Sequence, residues 1–540
     1  MSRRRYLGGM VLVLLLAAAL RLSGVAWDGG IGAHPDERYV VGVAEGLEWP
    51  RRLNPFALAP DLAYGHLPLT LFALLGGVDR LLAARLLTAL VDTATVALAA
   101  ALGSRLFDRG VGLLAAGFLA VMPLHVQQAH FATVDVFLAF FVTAAVLFAT
   151  RVAECGRPVD AALAGLAAGL AFGCKAGAGL LALPLAAACW FSGTHGRSRL
   201  LRCLLVGGVA LVAFAVTNPF AVLQLPRFLR NVAAQTALAQ GTIVAPYALQ
   251  YQGTLPYLYP VFQQAIWGMG PVLAGLCFGG LGVAVAGAVR RPPTRVEWVA
   301  LAWAVPFFAF VGGLYAKFPR YLLPLSPLLV VYGAVWLAGV QPRAARAVLG
   351  ALALVPAGMV ALGMVLSYAE AHPWVAATHW VEAQVPRGTG IAVEAWDHPL
   401  PLDSEGYHLH TLPVFEPDTG EKRAQMEASL DQANVVVVAS RRGYGVLTDR
   451  PPMASYYQFL FAGQRDFEVA ACFGRWPRVG PLALSDDPFR AADLPLPQAD
   501  CLPQPPVLWL PPLDESFVVY DHPTTIILVS TRRSSRIDTD

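Results

Sequence analysis

A bundle of membrane-spanning helices carrying a small soluble α/β domain at its C-terminal end is the fold class that the sequence predicts, and three observations predict it. Hydrophobic residues make up 56% of the chain and charged residues only 14%, with a mean hydropathy of +0.55, whereas soluble domains carry roughly a quarter charged. Apolar runs long enough to cross a bilayer recur from the N-terminus to residue 367. From about Tyr368 the composition turns to that of a soluble, mixed α/β domain. The net charge of +3 is small and the arginines fall in short clusters between apolar runs; this excludes a nucleic-acid partner and suits membrane orientation instead.

Crossing a hydrocarbon core of about 30 Å takes roughly 17 to 25 residues. About eleven runs qualify, at 6–27, 81–103, 110–128, 133–150, 158–174, 176–192, 200–217, 262–289, 296–314, 321–339 and 346–367. Leu67 to Val78 is too short to span and reads as an interfacial or re-entrant helix. With Arg3, Arg4 and Arg5 in the cytoplasm, the clusters at Arg105 and Arg109, Arg151 and Arg157, Arg197 to Arg202, Arg290 to Arg295, and Arg343 and Arg346 fall on that same side, as the positive-inside rule requires. Counting 67–78 as a span would invert every later loop and destroy the pattern. A signal peptide is the alternative for the first run, but no clear small-x-small cleavage site follows it. The chain is therefore expected in the plasma or inner membrane, with a spanning module over 1–367 and an extracytoplasmic domain over 368–540. The large outer loops fall at 28–80 and 218–262.

In the first outer loop, Tyr39, Val40, Val43 and Leu47 recur at near-helical spacing, which predicts an amphipathic helix over Asp36 to Trp49 lying in the interface. The second carries Tyr247, Tyr251, Tyr257 and Tyr259 among prolines, either an interfacial aromatic belt or the wall of a groove. In the C-terminal domain, Trp374 to Val385 reads as a helix, Gly390 to Glu394 and Val435 to Ala439 as buried strands, and Glu515 to Val519 with Thr525 to Val529 as a hairpin around Tyr520-Asp521-His522-Pro523. The tail Thr531 to Asp540 is expected to fray. Cys155, Cys174, Cys189, Cys203 and Cys277 lie in or beside apolar runs and suit packing as small hydrophobes. Cys472 and Cys501 lie in the C-terminal domain, where a disulfide would persist outside the cytoplasm; a bridge and two buried thiols are equally compatible with the sequence.

The candidate chemistry gathers on the outer face. His34-Pro35-Asp36-Glu37-Arg38-Tyr39 puts two adjacent carboxylates just past the first span. Such a pair either opens a solvated helix or holds a catalytic carboxylate at the water boundary. Asp135, Lys175, Lys317, Arg320 and Tyr321 fall at the outer ends of later spans, and ionisable groups there are functional candidates because each is costly unless paired or wet. Singly each has a bland alternative: a helix cap for Asp135, snorkelling for Arg320, a lipid phosphate for Lys175. Jointly, two acids and several cations at one interface point to an active site. Asp92, in mid-span, reads as a buried hydrogen-bonding partner between helices. His34, Asp36, Glu37 and His66 offer donors for a divalent metal, though without a fixed ligand spacing, and no cofactor is required by the pattern.

The order of these features resembles the polyprenyl-phosphate-dependent glycosyltransferases of the GT-C class, the group containing protein O-mannosyltransferases and the aminoarabinose transferases that modify lipid A. The resemblance runs over about 370 residues through His34 to Tyr39, Gly65-His66-Leu67-Pro68-Leu69, Ala84 to Leu90, Thr133-Val134-Asp135, Gly173-Cys174-Lys175 and Arg320-Tyr321-Leu322-Leu323-Pro324. It implies Asp36 as catalytic base with Glu37 beside it. The donor is then a polyprenyl-phosphate-linked sugar and the acceptor a hydroxyl-bearing lipid, glycan or protein. Arg320, Lys317 and Lys175 are cations for the leaving phosphate, with Asp135, Tyr321 and His66 lining the substrate site. Direct displacement would invert the anomeric centre. Some relatives carry a lysine where this chain has Leu67, which leaves His66 as the neighbouring candidate. The rival class is a transporter or flippase, whose charged residues belong near the bilayer midplane rather than at span ends.

Overall fold

The computed structural model describes residues 1–76, 79–193, 196–402, 405–464 and 466–532. The end of the 67–78 stretch and residues 533–540 of the tail, expected to fray, lie outside the described residues. The chain divides into two compact units. One holds Met1–Val25, Pro35–Ile243 and Gly253–Ala361, the other Ala26–His34, Val244–Gln252 and Leu362–Asp540. The four tyrosines of the second outer loop are thus shared out: Tyr247 and Tyr251 belong to the second unit, Tyr257 and Tyr259 to the first.

The helices, in chain order, are α1 (Arg3–Leu22), α2 (Pro35–Gly46), α3 (Leu67–Ala73), α4 (Arg80–Leu106), α5 (Arg109–Ala120), α6 (Pro123–Ala129), α7 (Val134–Cys155), α8 (Pro158–Phe172), α9 (Ala182–Phe191), α10 (Gly196–Thr217), α11 (Pro219–Leu223), α12 (Leu225–Gln240), α13 (Leu258–Gln263), α14 (Pro271–Arg290), α15 (Arg295–Gly312), α16 (Ser326–Ala338) and α17 (Arg343–Ser367). Their starts are written in the sequence. Asp79 accepts from the Leu82 N–H to open α4, Asp108 caps α5, and Thr294 and Glu297 form a reciprocal capping box on α15. Gly156 and Gly241 close α7 and α12 at φ of 61° and 76°, in the left-handed region glycine adopts without penalty.

Seven of these helices are long and apolar enough to cross a membrane, or eight if α5 and α6, bent by 60° at their break, count as one. Three further apolar helices are shorter, at Pro158–Phe172, Ala176–Phe191 and Ser326–Ala338. The expected count of about eleven is therefore supported by length and apolarity only for seven or eight. The reason is local: the tight turns Ala176–Leu181, after Lys175, and Pro319–Leu322, around Arg320, take residues out of runs that read as continuous. Inside the helical unit, Asp92 is wholly buried as expected. It accepts from Arg21 Nε at 2.7 Å and pairs with His125 Nδ1 at 2.7 Å, while His125 Nε2 meets Ser326 Oγ. Arg21 also donates to the Ala120 and Leu119 carbonyls, so this network ties α1, α4, α6 and α16 together with every strong donor engaged.

The second unit is α/β. Its strands are β1 (Gly390–Glu394), β2 (His408–Leu412), β3 (Val435–Val438), β4 (Phe467–Gly474), β5 (Arg478–Val479), β6 (Leu482–Ser485), β7 (Val507–Trp509) and β8 (Thr524–Ser530). A five-stranded sheet runs β2-β1-β3-β8-β4, parallel across β2-β1-β3 and antiparallel on both sides of β8; a smaller sheet runs β5-β6-β7. β1 and β3 are buried at every position, as strands covered on both faces are. The helix expected at Trp374 to Val385 is Pro373–Gln384. The expected hairpin is not formed. Only Thr524–Ser530 is a strand, and both its edges are taken by β3 and β4, so no edge remains for 515–519. That segment forms the tight turn Glu515–Phe517 capped by Asp514, and Asp521 is held by Tyr368 Oη at 2.7 Å and by Arg475 Nε through its carbonyl at 2.6 Å. Cys472 and Cys501 are joined in a disulfide, Cα atoms 5.1 Å apart.

Candidate active site

Asp36 and Glu37 both lie in the first turn of α2 behind Pro35, which suits a helix opening. The turn of about 100° between successive helical residues sends them to different environments. Glu37 is wholly buried. Its two oxygens receive Arg85 Nη2 at 2.6 Å and Arg85 Nε at 2.8 Å, and one also accepts the Ala132 N–H at 2.7 Å. Arg85 donates further to the Val25 carbonyl. Glu37 therefore joins α2, α4 and the segment leading into α7, and the structure gives it the surroundings of a strut rather than of a reacting group.

Asp36 instead keeps 28% of its side chain exposed and pairs with Arg320 Nη2 at 2.7 Å. Arg320 sits in the turn Pro319–Leu322, its guanidinium over the Phe318 ring. Its Nε lies 3.8 Å from Asp135 Oδ2, and Asp135 Oδ1 accepts from Lys175 Nζ at 2.8 Å. Four residues from four distant parts of the chain thus form an alternating row, Asp36, Arg320, Asp135, Lys175. The Lys175 ammonium also stands over the Tyr321 ring at 4.9 Å and the Tyr64 ring at 5.9 Å. Tyr64 lies in the segment between α2 and α3, where burial, then the Asp36 carboxylate, raises its phenol well above the usual range and keeps it protonated.

Backbone pairing brings Lys175 to Tyr64. Gly65 N donates to the Cys174 carbonyl at 3.0 Å and Leu67 N to the Gly173 carbonyl at 3.1 Å. A Cβ on Gly65 would lie 2.0 Å from the Gly173 oxygen, so only glycine allows this approach. Asn218 secures the same junction by accepting from the His66 N–H. Two separate stretches, 65–69 and 173–175, are thereby one structural piece.

Asp135 and Lys175, one end of the row, line a cavity of about 270 Å³, whereas Asp36 and Arg320 are not among its lining residues. Tyr64, Asp135, Lys175 and Tyr321 line one part; Phe307, Phe310 and Val311 of α15 with Leu314 just past its end line another, and Gln235 and Thr236 of α12 a third. A charged corner with an apolar wall accommodates an amphiphile with an anionic head.

Three expected participants stand elsewhere. Lys317 donates to the Tyr315 carbonyl at 3.0 Å and is not among the residues lining the cavity. His66 packs edge-on against Phe56 with both ring nitrogens buried and without a hydrogen-bond partner among the described residues; burial lowers its pKa to about 4, so the ring is neutral near pH 7. His34 belongs to the other unit, its ring 4.3 Å from that of Tyr520. Among the described residues, no group of three or more His, Cys, Asp or Glu side chains could hold a metal ion, and with Glu37 given over to Arg85 the four proposed donors do not fit one. Sequence reasoning missed Tyr64, whose only signal was its place beside Gly65, and Arg85, whose partner lies 48 positions away.

Residues 65–222 match the family model of dolichyl-phosphate-mannose-protein mannosyltransferase. No curated protein matches the chain in sequence. Among solved structures, the archaeal oligosaccharyltransferase AglB from Archaeoglobus fulgidus, in complex with an inhibitory peptide and a dolichol-phosphate, superposes with a TM-score of 0.56 at 14% identity, covering 84% of this chain and 72% of that one. The apo form of the Archaeoglobus fulgidus oligosaccharyltransferase gives 0.52 at 14% identity, over 88% and 75%. ArnT from Cupriavidus metallidurans bound to undecaprenyl phosphate gives 0.48 at 16% identity, over 83% and 95%. The AglB likeness is one of fold: a mainly helical membrane protein with a small C-terminal strand region, as expected from the sequence.

Proposed function

We propose that this GT-C-type integral membrane protein transfers a sugar from a polyprenyl-phosphate donor to a hydroxyl-bearing lipid, glycan or protein acceptor on the outer face of the membrane. The observation that carries the reading is the row Asp36, Arg320, Asp135, Lys175, whose Asp135–Lys175 end lines a cavity with an apolar opposite wall. The family-model match over residues 65–222 supports the same class. Arg320 and Lys175 share Asp135, so a phosphate oxygen can replace a carboxylate oxygen on one of the two cations while Asp135 stays paired with the other. As the bond from the anomeric carbon to the phosphate oxygen breaks, these cations take up the charge that develops on the leaving phosphate. Asp36, released from Arg320, is the exposed carboxylate placed to accept the acceptor's hydroxyl proton. Attack from the side opposite the phosphate inverts the anomeric centre. Phe307, Phe310, Val311 and Leu314 are suited to the first isoprene units. The N-terminus is assigned to the cytoplasm and the soluble domain over 368–540 to the outer face by the arginine pattern.

The test is donor turnover by the purified full chain in nanodiscs, with a panel of labelled polyprenyl-phosphate sugars and with lipid, glycan and protein fractions as acceptors. Release of polyprenyl phosphate together with label in one acceptor fraction is expected. Movement of intact donor between the leaflets of proteoliposomes, with no release from any donor, would replace the transferase with a flippase.

A further inference from the structure

The opposite end of α15 carries a second cavity, of about 350 Å³, to which the proposed chemistry assigns no role. α15 contributes Glu297 and Leu301 to this cavity and Phe307, Phe310 and Val311 to the one beside Lys175; its 18 residues span about 27 Å. The cavity arises from a change in spacing along α14. At Gly280 that helix touches α16 so closely that a Cβ would lie 2.4 Å from the Tyr332 carbonyl oxygen. Toward its C-terminus the small residues Gly287 and Ala288 leave a furrow, while α16 gives way at Gly339.

We propose that this furrow holds one anionic membrane phospholipid. Three features fit that occupant. Tyr332 lines the cavity, is 2% exposed, and its hydroxyl has no hydrogen-bond partner among the described residues; a hydroxyl in an apolar wall needs an acceptor, and a lipid ester carbonyl or phosphate oxygen is one. Arg291 lies at the cavity's edge with exposed Arg290 and Arg295 beside it along the chain, and among the residues lining the cavity the one carboxylate is Glu297, which meets Arg291 at 3.2 Å and is also held by the Thr294 N–H. That surplus of positive charge selects an anionic headgroup over a zwitterionic one. Trp336 and Val283 line the cavity and are 41% and 54% exposed, an opening through which an acyl chain enters from the side.

The experiment is native mass spectrometry of the full chain, delipidated in detergent and re-equilibrated with dioleoyl phosphatidylglycerol or dioleoyl phosphatidylcholine. The wild type is expected to retain one phosphatidylglycerol at least fivefold better than phosphatidylcholine. Arg290→Gln with Arg291→Gln and Arg295→Gln, all three at exposed positions, should abolish that preference. Ala288→Leu, which fills the furrow, should lower retention of both lipids, and Tyr332→Phe should weaken phosphatidylglycerol severalfold. Equal retention of the two lipids by the wild type, or an unchanged preference in the triple arginine variant, would overturn the proposal. Unchanged retention in Ala288→Leu would place the lipid elsewhere and overturn it as well. Sugar transfer is not read at any step, so this outcome is separate from that of the proposed activity.

Discussion

Asp36 and Glu37 are adjacent in one helical turn, carry the same chemical group and each meet an arginine, yet their surroundings differ in completeness. Around Glu37, two arginine donors and one backbone N–H occupy both oxygens, and neither Glu37 nor Arg85 is more than 1% exposed. Around Asp36, the arginine is shared with a second carboxylate, the pair is 11% and 28% exposed, and the row ends on a cavity. A closed ion pair is a strut, because any exchange of partner strands a charge in a dry interior. An open, shared row can trade a carboxylate for a phosphate. The difference separates a carboxylate that holds helices together from one that can do chemistry, which a pair of acidic letters does not reveal.

The largest expected effect is on rate. Asp36→Asn keeps the shape and removes the proton acceptor, and Arg320 keeps Asp135 as a partner, so folding should be preserved while turnover falls by about 10²- to 10⁴-fold, the span general-base catalysis usually contributes. Near-normal turnover in this variant would end the assignment. Glu37→Gln should do the reverse. It strands the buried Arg85, at a cost of about 3 to 5 kcal/mol, so folded yield and melting temperature should drop while turnover per folded molecule stays within a few-fold. If Glu37→Gln melts like the wild type and loses turnover, the roles of the two carboxylates must be exchanged.

Arg320→Lys sharpens the open side of the comparison with a smaller effect. A lysine keeps the charge but cannot bridge Asp36 and Asp135 with a planar fork, and donor affinity in nanodiscs should weaken by about tenfold with melting nearly unchanged. Unchanged donor affinity would make Arg320 an interfacial anchor rather than a phosphate ligand.

What could be read from the sequence follows from the range of each interaction. The apolar runs beginning at 81, 110 and 296 are local and legible, although their caps Asp79, Asp108 and Thr294 were not read. The burial of Asp92 was legible because an isolated acid inside an apolar run must find partners, although Arg21 and His125 as those partners were not. The gathering of Asp36, Asp135, Lys175 and Arg320 followed from counting which side each span end faces, a parity argument that needs no coordinates. Asp36 was set apart from Glu37 only by the family resemblance; the physical difference depends on Arg85 and on the Ala132 N–H, both long-range and illegible in the residues themselves. The hairpin expected around Tyr520 failed for a related reason: strand pattern in 515–519 is local, but the two edges of β8 were already filled by strands from elsewhere. Helix lengths at 158–174 and 321–339 were overread because apolarity does not mark where a helix stops, at Phe172 before Gly173 in the one and beside the turn Pro319–Leu322 in the other.

A third carboxylate extends the comparison to a buried acid without a cation. Glu394, at the end of β1 in the soluble unit, is 4% exposed; Tyr457 Oη donates to one oxygen at 2.9 Å, and the other has no hydrogen-bond partner among the described residues. Burial first, and the nearby Asp397 carboxylate second, push its pKa up to about 8. The folded unit therefore keeps this proton at neutral pH while the unfolded chain, with an ordinary glutamate, releases it above about 4.3. Since the folded state binds the extra proton between those values, stability is greatest at the acidic end and falls as pH rises toward 8. Glu394→Gln supplies a permanently neutral side chain of the same shape and should remove this penalty. The variant should melt about 2 to 4 °C above the wild type at pH 8 for each kcal/mol recovered, with the gap closing toward pH 5. A gap that is constant with pH, or a variant that melts lower at pH 8, would mean that Glu394 is ionised when folded and has a cationic partner like Glu37 after all.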